Sequence, residues 1–104
     1  MYATIRRYES IDQSRADELT TKVDQSLVPR LSKLPGFAGY HLVEAGDGVM
    51  SSISFFETSA QADESTRVAS DWVRDEKLEK ALPNKPTITG GEVVVQKVRE
   101  LVKA

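Results

Sequence analysis

Two strand-like runs, Phe37 to Ala45 and Val49 to Phe56, are separated only by Gly46-Asp47-Gly48, and a helical stretch joins each of them to a further strand. Glycine and aspartate tolerate the positive φ of a tight turn, so the two runs are expected to fold back as an antiparallel hairpin. Before the hairpin, Tyr2 to Tyr8 alternates with a period of two, Ala3 and Ile5 against Tyr2, Thr4, Arg6 and Tyr8. From Ser14 the period lengthens: Ala16, Leu19, Val23, Leu27, Leu31 and Leu34 recur at helical spacing. Ser14 with Asp17 is a weak form of a capping box, Pro29 should bend or restart this helix around Leu27 and Val28, and Pro35-Gly36 ends it.

After the hairpin, Thr58 with Gln61 caps a second helix that carries Ala62, Val68, Ala69 and Trp72 on one side and loosens near Asp75-Glu76-Lys77. Thr87 to Lys97 reads as the last strand, and Gly90-Gly91 inside it suggests a bulge or bend. Val98 to Ala104 could continue that strand or turn helical. The order strand, helix, strand, strand, helix, strand predicts an α+β, ferredoxin-like βαββαβ fold over residues 1–104. Its four-stranded antiparallel sheet has two helices on one face. The length of 104 residues suits one domain.

Two helices cover one side of such a sheet, and the other must find its own cover. Taking apolar side chains as the covered set puts Ala3, Ile5, Val49, Ile53 and Phe55 against the helices. It leaves Tyr2, Thr4, Arg6, Tyr8, Met50, Ser52, Ser54 and Phe56 on the other face. That leftover face is too apolar to lie open and too polar for a dry core. The expected solution is a second copy of the chain that closes it around a small, partly wet cavity.

Composition narrows the chemistry. There is no cysteine, which removes disulfides, thiolate nucleophiles and zinc–thiolate sites, and one histidine cannot build a His-rich metal site, so no metal is expected. Fourteen basic and sixteen acidic residues are interspersed rather than clustered, which argues against nucleic acid as a partner. No apolar run approaches the roughly 18 residues of a membrane span. The first nine residues read as a strand rather than a secretion signal, giving an expectation of a cytoplasmic protein.

Among individual residues, His41 is the one side chain whose ordinary titration suits acid–base work near neutrality. Phe37, Gly39 and Val43 are expected to share its face, and the parity of the strand decides whether His41 or Tyr40 meets the cavity. Arg6, with Thr4 and Tyr8 on its face, could hold a phenolate, carboxylate or enolate oxygen, or form a cross-strand ion pair. Trp72 fits core packing first and a pocket wall second. Tyr2, Tyr8, Tyr40, Met50 and Phe56 would suit a planar aromatic guest. The glycines lack the context of a phosphate loop, and no Ser-His-Asp motif is present.

The order of elements, "LPGFAGY" entering the second strand, the "AGDGVM" hairpin, "FFETSAQADES" leading into the second helix and the closing "GGEVVVQK" resemble the dimeric α/β-barrel superfamily. Within it they are similar to the antibiotic-biosynthesis-monooxygenase-like group. The resemblance implies a homodimer whose two sheets pack into a barrel. It also implies a cavity for a small aromatic or quinone-like molecule and, in some members, oxidation by dioxygen with no bound cofactor. His41 and Arg6 are then the catalytic candidates, with Tyr2, Tyr8, Tyr40, Met50, Ser52, Phe56 and Trp72 lining the pocket. Where polyketide-oxidising members carry an asparagine and a tryptophan on the third strand, this chain has Ser52 and Phe56. Haem-degrading members follow a helix tryptophan with a histidine; Trp72 lies later in its helix and has none. A non-catalytic binding or stress-associated dimeric module is the alternative function.

Overall fold

In a computed structural model, which describes residues 1–99, four antiparallel strands form one sheet in the order β2-β3-β1-β4. They are β1 (Tyr2–Tyr8), β2 (Phe37–Gly46), β3 (Val49–Phe56) and β4 (Thr87–Glu92). The architecture is ferredoxin-like, as the order of elements predicts. The first helical layer is α1 (Ala16–Lys22) and α2 (Val28–Ser32), joined by a π-helical turn over Val23–Leu27. Pro29 sits in the first turn of α2, where a missing N–H costs least, so the helix restarts there instead of breaking. The second layer is α3 (Ser59–Asp75), opened by the full Thr58–Gln61 capping box. The first helix is capped differently from the sequence reading: Asp12, not Ser14, accepts from the Ser14 amide, at 3.1 Å, and begins a 3₁₀ turn over Gln13–Arg15.

Leu19, Leu27 and Leu31 from the first layer meet Ala69 and Trp72 of α3, and Leu78 and Ala81 close the core beyond its end. Trp72 also donates its Nε1–H to Ser26 Oγ at 2.9 Å, fastening α3 to the π turn.

The face assignment of the strands is the reverse of the expectation. Thr4, Arg6, Met50, Ser52, Ser54 and Phe56 are buried under the helices, while Ile5, Ile53 and Phe55 point to the open side. Register fixes whole rows across the sheet. Beneath the helices runs Leu42–Ser52–Arg6–Ile88; on the open side run His41–Ile53–Ile5–Thr89 and Gly39–Phe55–Ala3–Gly91. A single-residue change of phase moves an entire strand from one face to the other, so β1 and β3 had to invert together. The apolar set was misassigned because it serves the open face, and the interior face is built around one arginine and the hydroxyls that meet it.

Two further expectations change. The Gly90-Gly91 pair carries no bulge, since β4 keeps unbroken register with β1; the irregularities lie in β2, between Phe37 and Gly39 and between Glu44 and Gly46. The first of them turns Phe37 away from the face of His41 and against Phe56, with ring centroids 5.7 Å apart. Gly90 instead lets the Tyr2 ring lie close on the backbone, for a Cβ there would come within 2.9 Å of the Tyr2 hydroxyl. β4 ends at Glu92 rather than Lys97 because its partner runs out. Glu92 pairs with Tyr2, Val93 donates to the Met1 carbonyl at 2.9 Å, and among the described residues β1 offers the valines that follow nothing further to pair with. Val94 and Val95 are 89% and 86% exposed. The last part of the Val98 to Ala104 segment lies outside the described residues.

Candidate functional site

Arg6 is 2% exposed, at the middle of β1 and under α3. Its Nε donates to Ser52 Oγ at 3.2 Å, Nη2 to Ser54 Oγ at 3.0 Å and Nη1 to Thr66 Oγ1 at 3.4 Å. The strand pairing explains the serines: Ser52 is the register partner of Arg6 on β3, and Ser54 faces the same side two residues on. Among the described residues no carboxylate lies within 4.0 Å of this guanidinium.

Arg6 and Tyr8 stand between two hollows. One is a cleft of about 550 Å³ running from Arg6, Tyr8 and Thr66 past Val73 to the Pro83–Pro86 loop, with Arg74 and Lys85 along it. The other is a small inner cavity of about 40 Å³ walled by Tyr40, Met50, Ser52 and Trp72 as well as Arg6 and Tyr8. Ala69, Val73 and Leu82 also belong to both, so the two share a wall. The inner cavity holds no more than a water or a small substituent; the cleft has room for a ring system. Burial pushes the Tyr8 and Tyr40 phenols above their ordinary range, and the Arg6 cation pulls each partly back.

Of the residues singled out from the sequence, the fold brings together Arg6, Tyr8, Tyr40, Met50, Ser52 and Trp72 around these hollows. Tyr2 is at the far end of β1, beside a separate shallow depression with Asp63 and Gly90. Phe56 is fully buried against Phe37 and lines neither hollow. His41 lies on the open side of the sheet, exposed, and edge to face with Phe55. Parity places Tyr40, not His41, toward the interior. The choice that the sequence left between His41 and Tyr40 thus falls to Tyr40 on the side of Arg6, with His41 on the other face.

Ser54 and Thr66 were missed. The sequence carries a signal for the first, because Ser52 and Ser54 share a face of β3 opposite Arg6; Thr66 becomes relevant only once α3 is laid across β1.

No family model matches the chain, and no curated protein matches it. Solved structures do. A protein of unknown function from Nitrosomonas europaea, NE2512, superposes with a TM-score of 0.74 at 16% identity, covering 95% of this chain and 94% of that one. A structure described as an antibiotic biosynthesis monooxygenase gives 0.67 at 18% identity over 91% of this chain and all of the other. A monooxygenase from the ActVA-Orf6 gene of Streptomyces coelicolor, in complex with the ligand Nanaomycin D, gives 0.67 at 12% identity over 95% and 92%. The chain has the ferredoxin-like fold of the antibiotic-biosynthesis-monooxygenase-like proteins.

Proposed function

We propose that this protein binds a small aromatic or quinone-like molecule in the cleft beside Arg6, as a homodimer, and oxidises it with dioxygen without a bound cofactor. The observation that carries the reading is the cleft itself. It has an apolar wall from Ala69, Val73 and Leu82, a buried cation at its base and the Tyr8 phenol beside that cation, with Tyr40 behind it on the inner cavity. A planar guest would lay its ring on the apolar wall and turn an oxygen toward Arg6. The monooxygenase with Nanaomycin D has the same fold, which supports the guest class by analogy.

With His41 on the other side of the sheet, Arg6 is left to favour ionisation of the substrate by stabilising the enolate or phenolate that results. For an anthrone the balance would be one substrate and one dioxygen giving one quinone and one water. The dimer is supported by the open face, where Ile5, Ile53, Phe55 and Val43 lie without cover from their own helices. An oxygen electrode with a panel of anthrones and hydroquinones tests the chemistry: oxygen uptake in step with quinone formation is expected, and no uptake with any member overturns it. The position of His41 favours a second reading, a binding module without turnover, which that second result would leave standing.

A further inference from the structure

Among the described residues the charge on Arg6 has no counter-charge within 4.0 Å, and this bears on what the cleft accepts. A guanidinium does not shed its charge in a protein interior, and burying it with neutral partners alone is costly. All three partners of Arg6 are hydroxyls. The phenols of Tyr8 and Tyr40 do not supply an anion either, since burial keeps them protonated beyond their usual range. A guanidinium carries five N–H bonds, and three are taken by Ser52, Ser54 and Thr66. One on Nη1 and one on Nη2 remain for a further acceptor. Along the cleft Arg74 is already paired with Asp71 at 2.7 Å, and Lys85 stands against Glu79, so the charge offered to a ligand is that of Arg6.

We propose that the cleft takes its ligand as an anion, an aromatic molecule whose carboxylate or ionised phenol or enol oxygen sits on the Arg6 guanidinium, and that it discriminates against neutral isosteres. This rests on the reading of the cleft as the ligand site. The hydroxyls of Ser52, Ser54 and Thr66 hold the guanidinium in place without neutralising it, so its full charge is offered to the ligand. A carboxylate at the Thr66 position would quench the site.

The test uses Trp72, the chain's one tryptophan, whose ring lines the inner cavity, as an emission reporter alongside calorimetry. The carboxylate probe is 2-naphthoate, compared with its methyl ester; the phenolate probe is 4-nitrophenol, compared with 4-nitroanisole. A charge-assisted hydrogen bond predicts that an anion binds about tenfold or more tighter than its neutral partner. The affinity of 4-nitrophenol should rise with pH along its own ionisation. The two pairs separate the sources: preference in the first marks a carboxylate site, in the second a phenolate site, and in both a general oxyanion site. Arg6→Met should lose the preference for anions.

Equal affinity for charged and neutral partners, or a preference that survives in Arg6→Met, overturns the proposal while leaving the cleft a ligand site. If no probe binds, both readings fall. Should Arg6→Met not fold, the pH dependence of 4-nitrophenol binding to the wild-type protein decides alone.

Discussion

His41 and Phe55 meet edge to face, ring centroids 6.0 Å apart and planes at 89°, on the side of the sheet away from α1, α2 and α3. Arg6 is on the opposite side of the same sheet, so the two side chains once paired as catalytic candidates cannot touch one ligand within a subunit. His41→Ala is therefore expected to leave the affinity of the cleft for 2-naphthoate, and any oxygen uptake, within about twofold of wild type. A loss of tenfold or more, read by Trp72 emission, would place His41 in the ligand's environment after all.

The row His41–Ile53–Ile5–Thr89 and its neighbour through Phe55 make the open face poor in charge, with Arg7 near one margin. A face of this kind suits contact with its own copy, because an isologous pairing buries the same patch on both chains and few charges are left there without water. We expect the chain to sediment at twice 11.5 kDa at micromolar concentration, and Phe55→Asp to return it to the mass of one chain. A wild-type protein that sediments as one chain refutes the dimer.

Removing the Arg6 charge should make the protein more stable, not less. A methionine of similar reach needs no solvation, and that gain is set against the donor lost to the hydroxyls of Ser52, Ser54 and Thr66. Arg6→Met is expected to gain about 1 kcal/mol or more, a rise of about 4–8 °C in Tm for a domain of this size. A stability gain bought with lost binding is the mark of a group kept for function. If Arg6→Met instead loses several degrees, Arg6 holds the fold together and its charge needs no ligand to explain it.

The fold was legible because its signals are local. Gly46-Asp47-Gly48 turns the hairpin, the Thr58–Gln61 box starts α3, and Leu19, Leu27 and Leu31 mark the inner stripe of the first helix. The facing of β1 and β3 was not legible, because both faces of each strand carry apolar groups. Ile5, Ile53 and Phe55 look like core and belong to the open side; Arg6, Ser52 and Ser54 look like surface and are buried as one network. Hydrophobicity ranks single residues, whereas the interior was decided by three polar groups that satisfy one another across two strands. The end of β4 was illegible for a related reason: Val93 to Val95 have strand propensity, but pairing depends on where β1 begins.

Alkaline pH should weaken the fold through Tyr8 and Tyr40. In the unfolded chain both phenols ionise near pH 10, and burial raises both in the folded state. Between those values the unfolded chain has released protons that the native one still holds, so stability falls as pH rises. Below about pH 9 the two states are equally protonated at these groups and the effect is absent. Urea midpoints measured from about pH 8 to pH 11 should drop above pH 10, and the Tyr8→Phe, Tyr40→Phe double variant should flatten that drop. A drop unchanged in the double variant would assign it to other groups.

Gly36 and Gln61 give the sharpest test of local design. Gly36 has φ +78°, a left-handed conformation, and a Cβ added there would fall on the side-chain amide of Gln61. That amide accepts from the Thr58 N–H at 3.1 Å to complete the cap of α3, while the Gly36 carbonyl accepts from Glu57 at 3.0 Å. Gly36→Ala thus costs twice, about 1 kcal/mol for the backbone and about 1 kcal/mol for the displaced cap. Gln61→Ala alone should cost about 1 kcal/mol. In the double variant the clash is gone and the cap is already lost, so the sum should fall short of additivity by about 1 kcal/mol in urea midpoints. Additive losses would show that the glycine answers to backbone strain alone, with Gln61 free to move aside.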